Sequence, residues 1–167
     1  MNLSQLQQIK PDSIQLDFSS AESELGFTLC SGIRSLYSRT FGDTAESVLD
    51  LKEGLHTIPQ GGRFDNWFSF NECEGPCEVT LDLPPSAGQA GEWIVRAFRE
   101  WTGGNDFGRR MLIGTFFLNI GDICIVLNND TNQVEWVDCG YGYFDVYEEN
   151  PHGVMAGSIE EFLAFFQ

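Results

Sequence analysis

The sequence predicts an α+β domain: a mostly antiparallel sheet with helices packed around it. Three observations carry this. Helix-type patterns come early, strand-type patterns fill the middle, and a short helical pattern closes the chain. Segregated helices and strands mark α+β rather than a βαβ alternation. Residues Asp122 to Leu127 are apolar on both pleat faces, with Ile123, Ile125 and Leu127 on one and Cys124 and Val126 on the other. A strand needs two apolar faces only when both are covered. The next six residues, Asn128 to Gln133, are turn chemistry, and Val134 to Val137 returns as a strand. The stretch Arg110 to Asp138 therefore reads as a hairpin at the centre of the sheet.

A length of 167 residues fits one domain spanning 1–167. Residues 1–18 read as a loose lead-in, with one short helix at Leu3 to Ile9. Ser19 and Glu22 have capping-box spacing, and Gly26 is placed to stop the helix that follows. Ile33, Leu36, Tyr37 and Phe41 recur at helical spacing and form one apolar stripe. Thr44 to Leu51 reads as a further turn or two of helix. His56 to Pro59 reads as a short strand, and the aromatic run Phe64 to Phe70 as a sheet edge. Cys77 to Leu83 alternates cleanly: Cys77, Val79, Leu81 and Leu83 on one face, Glu78, Thr80 and Asp82 on a wet one.

Ser86 to Trp101 reads as an amphipathic helix with the stripe Ile94, Ala97, Phe98 and Trp101, ended by Gly103 and Gly104. After the central strands, Cys139 to Glu149 is tyrosine-rich. It reads as an edge strand with Phe144 and Val146 inward and Tyr143, Asp145 and Tyr147 outward. Asn150 to Gly153 reads as a turn. A second capping box, Ser158 with Glu161, opens a C-terminal helix carrying Phe162, Leu163, Phe165 and Phe166.

The charge is -16, and its distribution matters more than its size. Arg110 is the last basic residue, and Asp122, Asp130, Glu135, Asp138, Asp145, Glu148, Glu149, Glu160 and Glu161 follow it. Binding to a phosphate backbone needs Lys and Arg, so nucleic acid is excluded as a partner. A basic protein surface fits, because complementary fields steer association. Plain solubility is the simpler use of the same charge. The first residues lack the basic and apolar regions of a secretory signal. No apolar run reaches the roughly 18 residues a membrane span requires. A cytoplasmic protein with no membrane partner is the expectation.

The five cysteines, Cys30, Cys73, Cys77, Cys124 and Cys139, are an odd set that argues against a disulfide framework. Cys73 and Cys77 have a loose metal-ligand spacing that only His56 or His152 could complete, and no metal site is expected from so weak a match. His56 and His152 fall in turn-like sequence and read as surface residues. No nucleophile elbow, phosphate loop or dinucleotide fingerprint is present, so neither catalysis nor a cofactor is expected. The acids Glu72, Glu74, Glu78 and Asp82 lack the spacing of a calcium loop and read as a solvated face.

Two segments together resemble the SUKH superfamily. The first is Ser20 to Gly42, with Glu22, Leu25, Gly26, Leu29, Tyr37 and Gly42 at the matching positions. The second is the central hairpin with the closing helix, matched at Gly114, Gly121, Asp122, Val134, Ala156, Ser158, Phe162 and Leu163. Cys30 stands where the family has a proline, and Phe41-Gly42-Asp43 replaces an Asn-Gly. Residues 61–101 match nothing in the family pattern and read as a possible family-specific insertion.

The resemblance implies an α+β fold and a non-catalytic binding role. Its members include bacterial immunity proteins that neutralise toxins and yeast regulators of cell-wall synthesis. The expected function is an immunity protein that occludes the basic surface of a toxin domain, with a nuclease as the natural candidate. The alternative is a regulatory scaffold, and a metal protein or enzyme ranks below both. Tyrosine offers a rigid contact surface with a polar tip. The expected partner-binding residues are therefore Tyr141, Tyr143, Asp145, Tyr147, Glu148 and Glu149, with Glu78 and Asp82.

Overall fold

The computed structural model describes residues 16–37, 46–50, 78–84, 86–118, 121–139, 146–150 and 152–164. Two helices open it, α1 (Ser19–Leu25) and α2 (Ser31–Tyr37). Strands β1 (Glu46–Asp50) and β2 (Glu78–Asp82) follow, then a 3-10 turn (Ala87–Gln89) running into α3 (Ala90–Arg99). The centre is β3 (Arg110–Leu118), β4 (Gly121–Asn128) and β5 (Val134–Asp138). A second 3-10 turn (Tyr147–Glu149), β6 (His152–Ala156) and α4 (Ile159–Ala164) close it.

The strands form one sheet in the order β1-β2-β3-β4-β5-β6. Each neighbouring pair is antiparallel. The fold is therefore α+β, and the central hairpin sits in mid-sheet. One sheet face meets the helices. Leu81, Met111, Ile113, Ile123, Ile125, Leu127, Val134, Trp136 and Met155 pack there against Ile33 and Leu36 of α2, Ile94 and Phe98 of α3, and Phe162 and Leu163 of α4. Fully burying one such side chain contributes about 1.5–3 kcal/mol. The opposite face buries Phe107, Val126, Val137 and Tyr147, with Trp101, Leu112, Cys124 and Cys139 packed against them. Two covered faces explain why β4 is apolar on both sides.

The β4–β5 turn does more than reverse the chain. Asn129 Oδ1 accepts from the Cys30 N–H at 2.8 Å, and Asn132 Oδ1 accepts from the Gly32 N–H at 2.8 Å. These amides belong to the start of α2, whose first N–H groups have no partner within the helix. The turn thus caps a helix about 100 residues away in sequence. Asn132 holds φ at 61°, a left-handed value that asparagine tolerates better than most residues. Asn132→Ala removes the cap and strains the backbone together. A loss of about 1–2 kcal/mol is expected in urea unfolding.

The joint between α1 and α2 is built on Glu22. Its carboxylate accepts from the Leu29 N–H at 2.7 Å and pairs with Arg34, and Arg34 Nε donates to the Leu29 carbonyl at 3.1 Å. Glu22 therefore does not form a capping box with Ser19. Phe18 is the N-cap residue and makes no side-chain cap bond, while Asp17 Oδ1 accepts from the Ser19 N–H. Gly26 does stop α1, at φ 79°. Tyr37 is buried and donates its hydroxyl proton to the Asp82 carbonyl at 3.1 Å, which ties α2 to β2. The second capping box holds in modified form. Ser158 Oγ accepts from the Glu161 N–H at 3.1 Å, while Glu161 Oε2 accepts from Gly157 instead of Ser158.

Three other expectations change. Within Thr44 to Leu51, residues Glu46–Asp50 form strand β1, not helix. The reason is tertiary: pairing with β2 from Glu46↔Asp82 to Asp50↔Glu78 gives every residue of the strand a ladder partner. The segment Ser86 to Trp101 is shorter as an α-helix, Ala90–Arg99, with a 3-10 turn before it. Asn150 to Gly153 is not simply a turn. His152 and Gly153 begin β6, which pairs with Val137 and Trp136 of β5. The expected elements at Leu3 to Ile9, His56 to Pro59 and Phe64 to Phe70 lie outside the described residues, as does Phe41.

Candidate functional site

The sheet face opposite the helices carries a buried polar cluster under an acidic rim. Alternation along β5 puts Glu135 on this face, between Val134 and Trp136 on the helical side. Its carboxylate is 5% exposed as a residue and fully engaged. Arg110 Nε donates to Glu135 Oε2 at 2.6 Å, the Tyr147 hydroxyl donates to the same oxygen at 2.9 Å, and Asn128 Nδ2 donates to Oε1 at 2.8 Å. Arg110 also donates to the Phe107 carbonyl at 3.0 Å, and its guanidinium lies 3.5 Å from the Tyr147 ring centroid. A buried carboxylate persists only with partners of this kind.

An aromatic row crosses the same face. Trp101 meets Phe107 at 5.2 Å, Phe107 meets Tyr147 at 6.0 Å, and Tyr147 meets His152 at 4.3 Å between ring centroids. Trp101 Nε1 donates to the Arg110 carbonyl at 3.1 Å. Asn150 is buried and donates through Nδ2 to the Val146 carbonyl, and its own carbonyl lies 2.7 Å from His152 Nδ1. These bonds fix the turn that displays Glu148 and Glu149.

The rim is acidic, with Asp106, Glu148 and Glu149 all exposed. Val146 and Val154 are exposed at 39% and 37%. Asp106 bridges to Val146, and Val154 sits opposite Glu135 in the β5–β6 register, so both valines adjoin the cluster. A cavity of about 250 Å³ lies nearby, between Trp93, Ala97 and Trp101 on one side and Asp82 and Leu112 on the other. All five described arginines are ion-paired: Arg34 with Glu22, Arg96 with Glu100, Arg99 with Glu24, Arg109 with Asp130 and Arg110 with Glu135.

The expected partner-binding residues divide. Glu148 and Glu149 are exposed, as expected. Tyr147 is corrected: it is 3% exposed and faces inward, while Val146, expected inward, faces out. The reason is that Tyr147–Glu149 is a 3-10 turn, which breaks the two-residue alternation assumed for an edge strand. Asp82 is half-buried, not fully wet, and lies across the sheet from β6. Glu78 is the first residue of β2. Tyr141, Tyr143 and Asp145 lie outside the described residues, as do Glu72, Glu74, Cys73, Cys77 and His56. His152 is half-buried in β6 against Tyr147, not on a surface turn.

Glu135, Asn128, Phe107 and Arg110 were not expected in the site. A signal for two of them exists in sequence: Arg110 is the last Lys or Arg before the acidic C-terminal third, and Glu135 interrupts the apolar run Val134 to Val137. Among the described residues, no group of three or more His, Cys, Asp and Glu is placed to hold a metal. No described helix is long and apolar enough to cross a membrane.

Burial pushes the Tyr147 hydroxyl well above its ordinary value of 10.0, and the Glu135 charge pushes in the same direction. Tyr37 is raised likewise, first by burial. For a raised tyrosine the folded state holds its proton more tightly than the unfolded chain does. The stabilisation is complete below the unfolded value and is lost as pH rises above it. Each tyrosine then costs up to about 1.4 kcal/mol per pH unit. Unfolding should begin above pH 10, with the tyrosinate absorbance of these two groups rising together with loss of structure.

A scan against protein-family models finds no match for this chain, and a search of curated proteins finds none.

Proposed function

We propose that this protein is a non-catalytic binding protein, an immunity protein of the SUKH type that neutralises a basic toxin domain by covering its active surface. The observation that supports this most is the charge distribution. No Lys or Arg follows Arg110, and every described arginine already has a carboxylate partner. The described surface therefore offers a partner acids without competing free arginines. Exposed Asp106, Glu148 and Glu149 beside the exposed Val146 set acids next to an apolar contact, as at the rim of a protein–protein interface. A nuclease suits as the toxin, because its active site must attract phosphate.

The test is a pull-down with the toxin domain encoded immediately upstream, paired with a growth-rescue assay. Capture and rescue are expected; failure of both rejects the reading. Within that complex, reversing the rim charges with Glu148→Lys and Glu149→Lys should slow association by about 10-fold or more. The effect should shrink as salt rises.

A further inference from the structure

On the same sheet face lie two thiols that the binding function leaves unused. Cys124 is in β4 and Cys139 follows the last residue of β5. Cys124 pairs with Val137 in the ladder, so Cys139, two residues further on, is its diagonal neighbour on the same face. Both pack against the cluster of Phe107, Val126, Val137 and Tyr147, and both are half-buried. From this juxtaposition we infer that Cys124 and Cys139 form an oxidative modification site, a dithiol that closes to a disulfide by exchange with a low-molecular-weight disulfide.

The chemistry follows from the neighbourhood. The neighbouring Cys124 thiol holds the Cys139 thiol below its ordinary value of 9.0, against the opposing effects of burial and Asp138. The thiolate is the nucleophile in disulfide exchange. Cys124 is held inside β4 and Cys139 lies beyond the end of β5, so in this scheme Cys139 attacks first. Its sulfur bonds to one sulfur of the reagent, and the other sulfur leaves as a thiolate. Cys124 then attacks the Cys139 sulfur, and the second reagent thiolate leaves. Two protons pass from the cysteines to the two leaving thiolates. Two electrons pass from the cysteine sulfurs to the reagent, which is reduced to two thiols. A nucleophilic thiol with a resolving thiol beside it is the arrangement of redox-responsive pairs. Closing the bond requires the two Cα atoms within about 7 Å of each other, and Cys139 lies just beyond the last residue of β5.

Cys30 supplies an internal contrast. It is also half-buried, but burial raises its thiol above the ordinary value. The experiment treats the native full-length chain with glutathione disulfide, quenches with an alkylating agent and maps the cysteines by mass spectrometry. The expected product is a Cys124–Cys139 link, with Cys30 still alkylated. Cys124→Ser should trap Cys139 as its mixed disulfide with glutathione, and Cys139→Ser should slow modification of Cys124 by at least about tenfold. Cys30→Ser should leave the link unchanged. A native chain that forms no Cys124–Cys139 link, or one in which Cys30 reacts as fast as Cys139, overturns the inference. Circular dichroism of each serine variant shows that a negative result comes from a folded protein.

Discussion

Gly114→Ala is expected to destabilise the protein by about 3 kcal/mol or more, at the upper end of overpacking costs. Gly114 sits in β3 beside a register shift, opposite Leu81 of β2 and Ile125 of β4. A Cβ built there lies 2.3 Å from the Thr80 carbonyl oxygen and 3.2 Å from Leu81 Cδ2. The first contact is backbone, so no rotamer change relieves it. The β2–β3 ladder must open, and the peptide groups of two strands lose partners that cost about 1–3 kcal/mol each when left unmade. Against a total stability of about 5–15 kcal/mol this is a large fraction. Chemical unfolding of the two proteins measures it. Gly91→Ala is the control. It lies inside α3, and an added Cβ there meets nothing within 4 Å. That variant should be more stable by about 0.5–1 kcal/mol. A Gly114→Ala protein as stable as the parent would contradict the close approach of β2 and β3.

Glu135→Ala is expected to cost about 3–5 kcal/mol, because it leaves a half of a buried ion pair behind. Arg110 loses its carboxylate, and the Tyr147 hydroxyl and Asn128 Nδ2 lose their acceptor. The charged pair itself is not the source of that stability. Replacing both partners with apolar residues, Arg110→Met with Glu135→Leu, should recover much of the loss. Tyr147→Phe should cost less, about 1.5–3 kcal/mol, the worth of one hydrogen bond to a charged group. The three variants separate an unpaired charge from lost packing. The consequence for function runs through the turn: Tyr147 is its first residue, and Glu148 and Glu149 follow directly. Loosening Tyr147 should therefore weaken partner binding without changing any exposed acid. Dissociation rates of the complex would show this.

Much of the fold was readable because its signals are local. The hairpin from β4 to β5 follows from alternation and from the turn residues Asn128 to Gln133. The stop at Gly26 and the start at Ser158 follow from cap chemistry. The site was readable only in part. Exposed Glu148 and Glu149 follow from charge, but Tyr147 does not follow from pattern. A 3-10 turn in place of a strand reverses which of Val146 and Tyr147 faces in. The same limit hid β1 and β6. Both are five residues long and are fixed by the strand that each pairs with, not by their own composition.

By itself, then, the sequence determined the fold class, the central hairpin, the closing helix and an acidic C-terminal third without cations. These depend on period, cap and charge, which are properties of neighbouring residues. Only the tertiary structure decided that Asn129 and Asn132 cap α2 from across the chain. It also decided that Glu22 joins α1 to α2, and that Arg110, Glu135 and Tyr147 share one buried cluster. Those contacts join residues 12 to 100 positions apart. Which polar groups meet over such distances is settled by the need of each buried donor and acceptor for a partner. The sheet order decides which partners are within reach.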